Sequence, residues 1–182
     1  DIGAPCPDVD SPDATLLGDT QSRWLARALG RSRSRWNLIA QQVMVGRVNF
    51  APTLPGGGII NLDQWDGYTA ARRSLMKQLA QLAPNPVVLT GDIHSSWVHD
   101  LVAEGSVAEG SVAEGSDASG TSERVVATEL VGTSITSSFP LEAIVRDAVA
   151  SQPTIKYFEG TKHGYVRAEV DERQVGEVGE RE

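Results

Sequence analysis

The sequence predicts a layered α/β domain, and three observations predict it. Residues 69–83 carry Ala71, Leu75, Leu79 and Leu82 on one helical face, and Pro84-Asn85-Pro86 then forces a stop. Val87-Val88-Leu89 follows at once, a short apolar run of the kind that forms a strand buried on both faces. That run ends in Thr90-Gly91-Asp92-Ile93-His94-Ser95-Ser96, where a glycine suited to a tight turn precedes a carboxylate and an imidazole two residues apart. Helix, short turn and apolar strand form the repeating unit of α/β domains. Their sheets bind ligands just beyond the carboxyl ends of the strands, which is where Asp92 and His94 stand. A carboxylate oxygen with an imidazole suits Zn, Fe or Mn. Taken by itself, Gly-Asp-x-His is equally well read as a loop carboxylate capping the next segment, with His94 a satisfied polar neighbour.

Residues 1–18 are rich in Pro, Asp, Ser and Gly and read as a loop. Asp19 or Thr20 can cap a first helix with Trp24, Leu25, Ala28 and Leu29 on its apolar positions, ended by Gly30. Arg31, Arg33 and Arg35 alternate with serines; a solvated loop is the commoner account than a phosphate-binding patch. A strand is expected within Trp36–Val45. From Asn49 to Gly67 the prolines and consecutive glycines predict a long loop, and Asp66 or Thr69 then caps the second helix.

Ser96–Leu101 suits a strand, with His99 structural, and Val125–Val131 suits its partner. Between them the sequence repeats Val-Ala-Glu-Gly-Ser three times over residues 102–116 and runs on in polar residues to Glu123. A five-residue period matches no solenoid class, so residues 102–123 read as an expanded, flexible hairpin loop without chemistry of its own. Pro140 suits the first turn of a third helix that buries Leu141, Ile144, Val145 and Val149. Two closing strands are expected over Thr154–Phe158 and Gly164–Val170, joined through Gly160-Thr161-Lys162-His163. One domain thus occupies residues 1–170, and the charged residues 171–182 are expected to fray.

The 182 residues carry a net charge of −8, with 40% hydrophobic and 22% charged residues, an ordinary globular composition. That acidity argues against general nucleic-acid binding, and no apolar stretch approaches the ~20 residues of a membrane span. The single cysteine, Cys6, sits in a proline-rich loop and is read as a bystander. Ser95 and Ser96 beside His94 invite a nucleophile reading, but no Gly-x-Ser-x-Gly elbow accompanies them.

Six segments, in order, carry a family resemblance. They are Leu16–Leu25, Ser34–Val43, Asp63-Gln64-Trp65-Asp66-Gly67-Tyr68 with Arg72, Thr90–Ser96, Thr128-Glu129-Leu130 with Thr133–Ser137, and His163-Gly164-Tyr165. Together they resemble the "LG…Q…WL", "S…W…QQV", "D.WDGY…R", "TGD.HSS", "TE…TSITS" and closing "GY" segments of PhoD-like alkaline phosphatases. The resemblance implies a metallophosphoesterase-like two-sheet sandwich flanked by helices, hydrolysis of phosphate mono- and diesters, a site holding Fe(III) and Ca(II), and an extracytoplasmic or secreted location. It makes Asp92 and His94 metal ligands. Asp63, Asp66, Tyr68, Arg72 and His163 are further candidates for lining the site, although Asp66 also reads as a cap or turn and Arg72 as a helix salt bridge.

The resemblance to the family's amino-terminal half, with its further ligands and export signal, is missing before residue 16. The expectation is therefore an incomplete, carboxy-terminal portion of such an enzyme, inactive alone because two ligands do not hold a metal cluster. A non-catalytic truncated remnant or binding module of the same fold is the alternative. A metal-free α/β hydrolase would instead show chelator-insensitive ester hydrolysis.

Overall fold

Strand pairing follows the apolar runs. A computed structural model describes residues 1–54, 56, 58–103 and 124–177. Its main sheet has the order β2-β4-β6-β5-β7, formed by β2 (Asn37–Gln41), β4 (Pro86–Thr90), β6 (Val125–Val131), β5 (Ser96–Val102) and β7 (Ile155–Glu159). The pairs β2–β4 and β4–β6 are parallel, whereas β5 runs antiparallel to both β6 and β7. The strand with the most continuous apolar sequence, β4, therefore lies between two parallel neighbours, as its composition predicts. Two two-stranded ribbons complete the strands among the described residues: β1 (Ile2–Gly3) with β3 (Ile60–Asn61), and β8 (Ala168–Val170) with β9 (Val175–Glu177).

Helix α1 (Gly18–Arg31) and helix α2 (Thr69–Leu82) cover one apolar cluster, which includes Leu29, Leu75, Met76, Leu79, Val88 and Leu101. Helix α3 (Glu142–Val149) contributes Val145 to a second cluster with Trp97, Val131, Phe139 and Ile155. The turn between α2 and β4 is made by Asn85, which holds a left-handed φ of 44°. Its side-chain amide donates to the Arg35 carbonyl at 2.9 Å, tying the entries of β2 and β4 together. No helix among the described residues is long and apolar enough to cross a membrane.

Several expectations need correction. Asp19 and Thr20 lie inside α1, which starts at Gly18 and runs past Gly30 to Arg31, and no side chain caps it. Trp24 is 59% exposed and Ala28 is exposed, so only Leu25 and Leu29 of the expected face pack inward. Neither Asp66 nor Thr69 caps α2: the cap position is Tyr68, Asp66 bonds elsewhere, and the Thr69 hydroxyl donates to the Val9 carbonyl at 3.0 Å. Pro140 precedes α3 rather than opening it, and Ile144 is 61% exposed. The last expected strand shortens to Ala168–Val170 and pairs with residues 175–177 instead of joining the main sheet, so part of the presumed fraying tail is ordered. The long loop expected over Asn49–Gly67 also contains β3, whose two-residue pairing with β1 is too short to leave a periodic signal. Most of the repeat, residues 104–123, and the end of the tail, residues 178–182, lie outside the described residues.

One close approach inside the core is specific to a glycine. A Cβ on Gly46 would stand 2.5 Å from the His99 ring, itself fully buried and stacked on Trp97 at 5.5 Å. Gly91 has open space around it and an ordinary φ. Gly46→Ala should therefore lower stability by about 1–3 kcal/mol, the usual cost of overpacking, and Gly91→Ala should stay within about 0.5 kcal/mol. Thermal or urea unfolding of the two variants checks this.

Candidate functional site

The carboxyl ends of β2, β4 and β6 meet at one edge of the sheet, where Thr90 pairs with Gln41 on one side and Val131 on the other. The Thr90 carbonyl accepts the Gly132 N–H at 2.9 Å, so β4 is fixed up to its last residue. The next residues turn sharply. The Ile93 N–H donates to the Gly91 carbonyl at 2.9 Å, closing a three-residue turn around Asp92, whose φ is 72°. His94 follows with a φ of 61°. Turns of this hand with a side chain at their centre are rare and strained. The conformational demand falls on Asp92 and His94 themselves and not on Gly91, contrary to the expectation from sequence.

Side-chain burial alternates along this loop. Ile93 is buried in the second apolar cluster, while Asp92 and His94 on either side of it are exposed. Ser95 is buried and its hydroxyl accepts the Trp97 indole N–H at 2.8 Å, a structural use that agrees with rejecting it as a nucleophile. The loop is thus pinned by an apolar residue at its middle and a hydrogen-bonded serine at its exit, leaving two metal-competent donors in solvent.

Two further loops reach this edge. After Gly132 the chain runs through Thr133 and Ser134; the Thr133 hydroxyl donates to the Lys162 carbonyl at 3.0 Å and the Gly164 N–H to the Ser134 carbonyl at 3.1 Å. His163 is exposed on the loop so held, against a segment that itself contacts β4. Among the described residues, no three His, Cys, Asp or Glu side chains are close enough together to hold a metal ion.

The other candidates have separate surroundings. Asp63 is exposed beside the Asp1 amino group. Asp66 is buried in the short turn Trp65–Gly67; it accepts the Val48 N–H at 3.0 Å and the Arg47 Nε–H at 3.2 Å, and burial pushes its carboxyl above the ordinary range. Tyr68 is half-buried at the start of α2. Arg72 is 3% exposed, and its Nε–H donates to the Val45 carbonyl at 2.8 Å, so neither the phosphate clamp nor the surface salt bridge describes it. Asp66 and Arg72 organise the segment that leaves β2.

The residue that sequence reasoning passed over is Glu129. It lies in the middle of β6 with no exposed surface. One carboxylate oxygen accepts the Val45 N–H at 2.9 Å and the Thr90 hydroxyl at 2.6 Å; the other accepts the Gly46 N–H at 2.6 Å. Burial pushes its carboxyl up, and these three donors and the Arg72 charge pull the other way. The available signal was a carboxylate inside the apolar run Val125–Val131, since a buried charge in a sheet requires partners. His99, opposite Glu129 in the register, is held neutral, its imidazole lowered to about 3 by burial and by the Arg72 charge.

Comparison with known proteins followed the same outline. A family model described as PhoD-like phosphatase matches residues 1–177. Alkaline phosphatase D of Bacillus subtilis (strain 168) is 39% identical over 98 residues, which are 53% of this chain and 16% of that protein. A solved structure of PhoD superposes with a TM-score of 0.69 at 32% identity, covering 92% of this chain. The chain spans 30% of that structure's length.

Two expected outcomes follow from this geometry. Asp92→Gly and His94→Gly relieve left-handed strain of about 1–3 kcal/mol against glycine's entropic cost of about 0.5–1 kcal/mol, so each should match or exceed the parent's stability in chelator-containing buffer, whereas alanine should not. Unfolding midpoints check this. For His99, the unfolded chain binds a proton below about pH 6.5 that the folded chain refuses until about 3. Stability should fall as pH drops through that window, by about 1.4 kcal/mol per unit from this group. The raised carboxyls of Asp66 and Glu129 act in the opposite sense, losing stability as pH rises past the ordinary carboxylate range. His99→Phe should flatten the acid limb in urea titrations at pH 7 and 5.5.

Proposed function

Because this chain belongs to the PhoD-like phosphatase family, we propose that it serves metal-dependent hydrolysis of phosphate esters, with Asp92 and His94 as two of the metal ligands. The observation that supports this reading is the pair of exposed donors, two residues apart, both in strained left-handed backbone at the carboxyl edge of a parallel strand. Such strain in non-glycine residues collects at functional sites, where a side chain must stand in a direction that relaxed backbone does not offer.

The donor set fits the ions that the resemblance implies. A carboxylate oxygen suits Ca(II) and is able to bridge, and imidazole suits iron. Bound cations would supply charge neutralisation of the phosphoryl oxygens and Lewis acidity toward the attacking water. Two donors do not complete a coordination sphere, and the reading has it completed by groups outside the described residues. In the same reading this chain is a carboxy-terminal portion of a longer, extracytoplasmic enzyme, and by itself turns over little phosphate ester.

The roles of the chain's own residues are then limited and specific. Asp92 and His94 bind and hold the cations, Ile93 anchors them to the core, and the Thr133–Ser134 and Lys162–His163 loops wall the same edge. His163, exposed on that wall, is available to meet an anionic substrate.

Metal analysis of the complete gene product and of its Asp92→Asn and His94→Ala forms tests the reading. Each substitution should reduce bound Fe and Ca, and activity on chromogenic phosphate mono- and diesters, by roughly tenfold or more, since even indirect supports of a ligand cost that much. Chelator should abolish activity. Unchanged metal content in both variants would overturn the assignment, and robust turnover by the 182-residue chain alone would overturn its incompleteness.

A further inference from the structure

The geometry points to Glu129 as a positioning residue that holds the Asp92–His94 loop in shape, by joining Thr90 to the backbone of residues 45–46. The inference rests on reading Asp92 and His94 as metal ligands, and its test separates the two.

Thr90 is the last residue of β4 and lies two positions before Asp92. Its hydroxyl and carbonyl are both committed: the hydroxyl donates to Glu129 at 2.6 Å, and the carbonyl accepts from Gly132 at 2.9 Å. The turn around Asp92 begins on the carbonyl of the very next residue, Gly91, so there is no slack between the Glu129 contact and the strained turn. A strained conformation persists only where its surroundings over-determine it. Here the entry is fixed by Glu129 and Gly132, the middle by buried Ile93, and the exit by Ser95.

The anchor of this contact lies deeper. Glu129 also takes the N–H groups of Val45 and Gly46, and the Val45 carbonyl is in turn held by Arg72 from α2. The exit of β2 and the end of β4 therefore share one carboxylate, and helix α2 joins them through the Val45 carbonyl. A glutamine at 129 retains the size but turns one acceptor into a donor facing donors, so it cannot hold all three partners at once. A valine at 90 retains the branched shape and removes only the hydroxyl, whereas serine retains the hydroxyl.

The test uses the complete gene product, Mn²⁺ as the probe, and NMR. Backbone amide exchange at Ile93 and Gly132 is compared with that at Val88 in the same strand, while Mn²⁺ affinity is read from line broadening at Asp92 and His94. Thr90→Val and Glu129→Gln should raise exchange at Ile93 and Gly132 by about tenfold over any rise at Val88, a local opening rather than global loss. Both should weaken Mn²⁺ binding by about 10–100-fold, the usual penalty for removing a ligand's support, and Thr90→Ser should restore parent behaviour. If Glu129→Gln fails to fold, Thr90→Val still decides the matter. Exchange that is unchanged, or raised equally at Val88, overturns the positioning role. Mn²⁺ affinity unchanged by Asp92→Asn overturns the metal reading instead, and the exchange comparison still decides the role of Glu129.

Discussion

A carboxylate without exposed surface stays in the middle of a sheet only where donors converge on it, because its desolvation cost must be offset locally. Glu129 meets that condition by drawing on two segments far apart in sequence, the exit of β2 and the end of β4. Much of the surrounding structure follows. The backbone at 45–46 must turn its N–H groups toward β6, which leaves the Val45 carbonyl for Arg72. The chain at Gly46 must pass against the buried His99 ring, which excludes a side chain there. Asp66 repeats the device two residues on, taking the Val48 N–H from a turn ahead of α2. The stretch Val45–Val48 thus crosses the core with three of its N–H groups and one carbonyl satisfied by two acids and an arginine.

The parts of the fold that were legible in sequence are those governed by local apolar pattern. The α2–turn–β4 unit, the β5–β6 pair and β7 all fall where runs of Val, Leu and Ile or a Pro-Asn-Pro break say they should. Trp24 and Ile144 misled because amphipathic spacing states which residues share a face, not whether a neighbour covers it. The β1–β3 and β8–β9 ribbons were illegible since two- and three-residue pairings are decided by what lies across from them. The placement of Asp92 and His94 just beyond the end of β4 was legible from the strand that precedes them. The contacts of Glu129 were not: a carboxylate inside an apolar run signals a need for partners, but nothing local ties it to Thr90, 39 positions away.

Asp92 and His94 show how a fold can present two donors without enclosing them. The apolar cluster holds Ile93, and the backbone on both sides departs from relaxed geometry to bring the neighbouring side chains into solvent. Both residues hold left-handed backbone, which costs stability, and their side chains stand two positions apart in solvent. The same edge gathers the Thr133–Ser134 and Lys162–Gly164 loops through backbone and hydroxyl contacts, so its walls are set by hydrogen bonds of main-chain groups rather than by the identity of the exposed side chains.

The antiparallel pairing of β5 with β6 has a consequence for how this sequence varies over time. His94 leads into β5 at Ser96, and β6 ends at Val131 beside Thr90, so the connection between Val102 and Val125 leaves from the opposite end of the pair. The Val-Ala-Glu-Gly-Ser units begin at that far end. Tandem copies are prone to gain or loss during replication, and the closure entropy of a connection grows by only about 0.6 kcal/mol for each doubling of its length. A change in copy number would enter between Val102 and Val125, at the end of the β5–β6 pair away from Thr90.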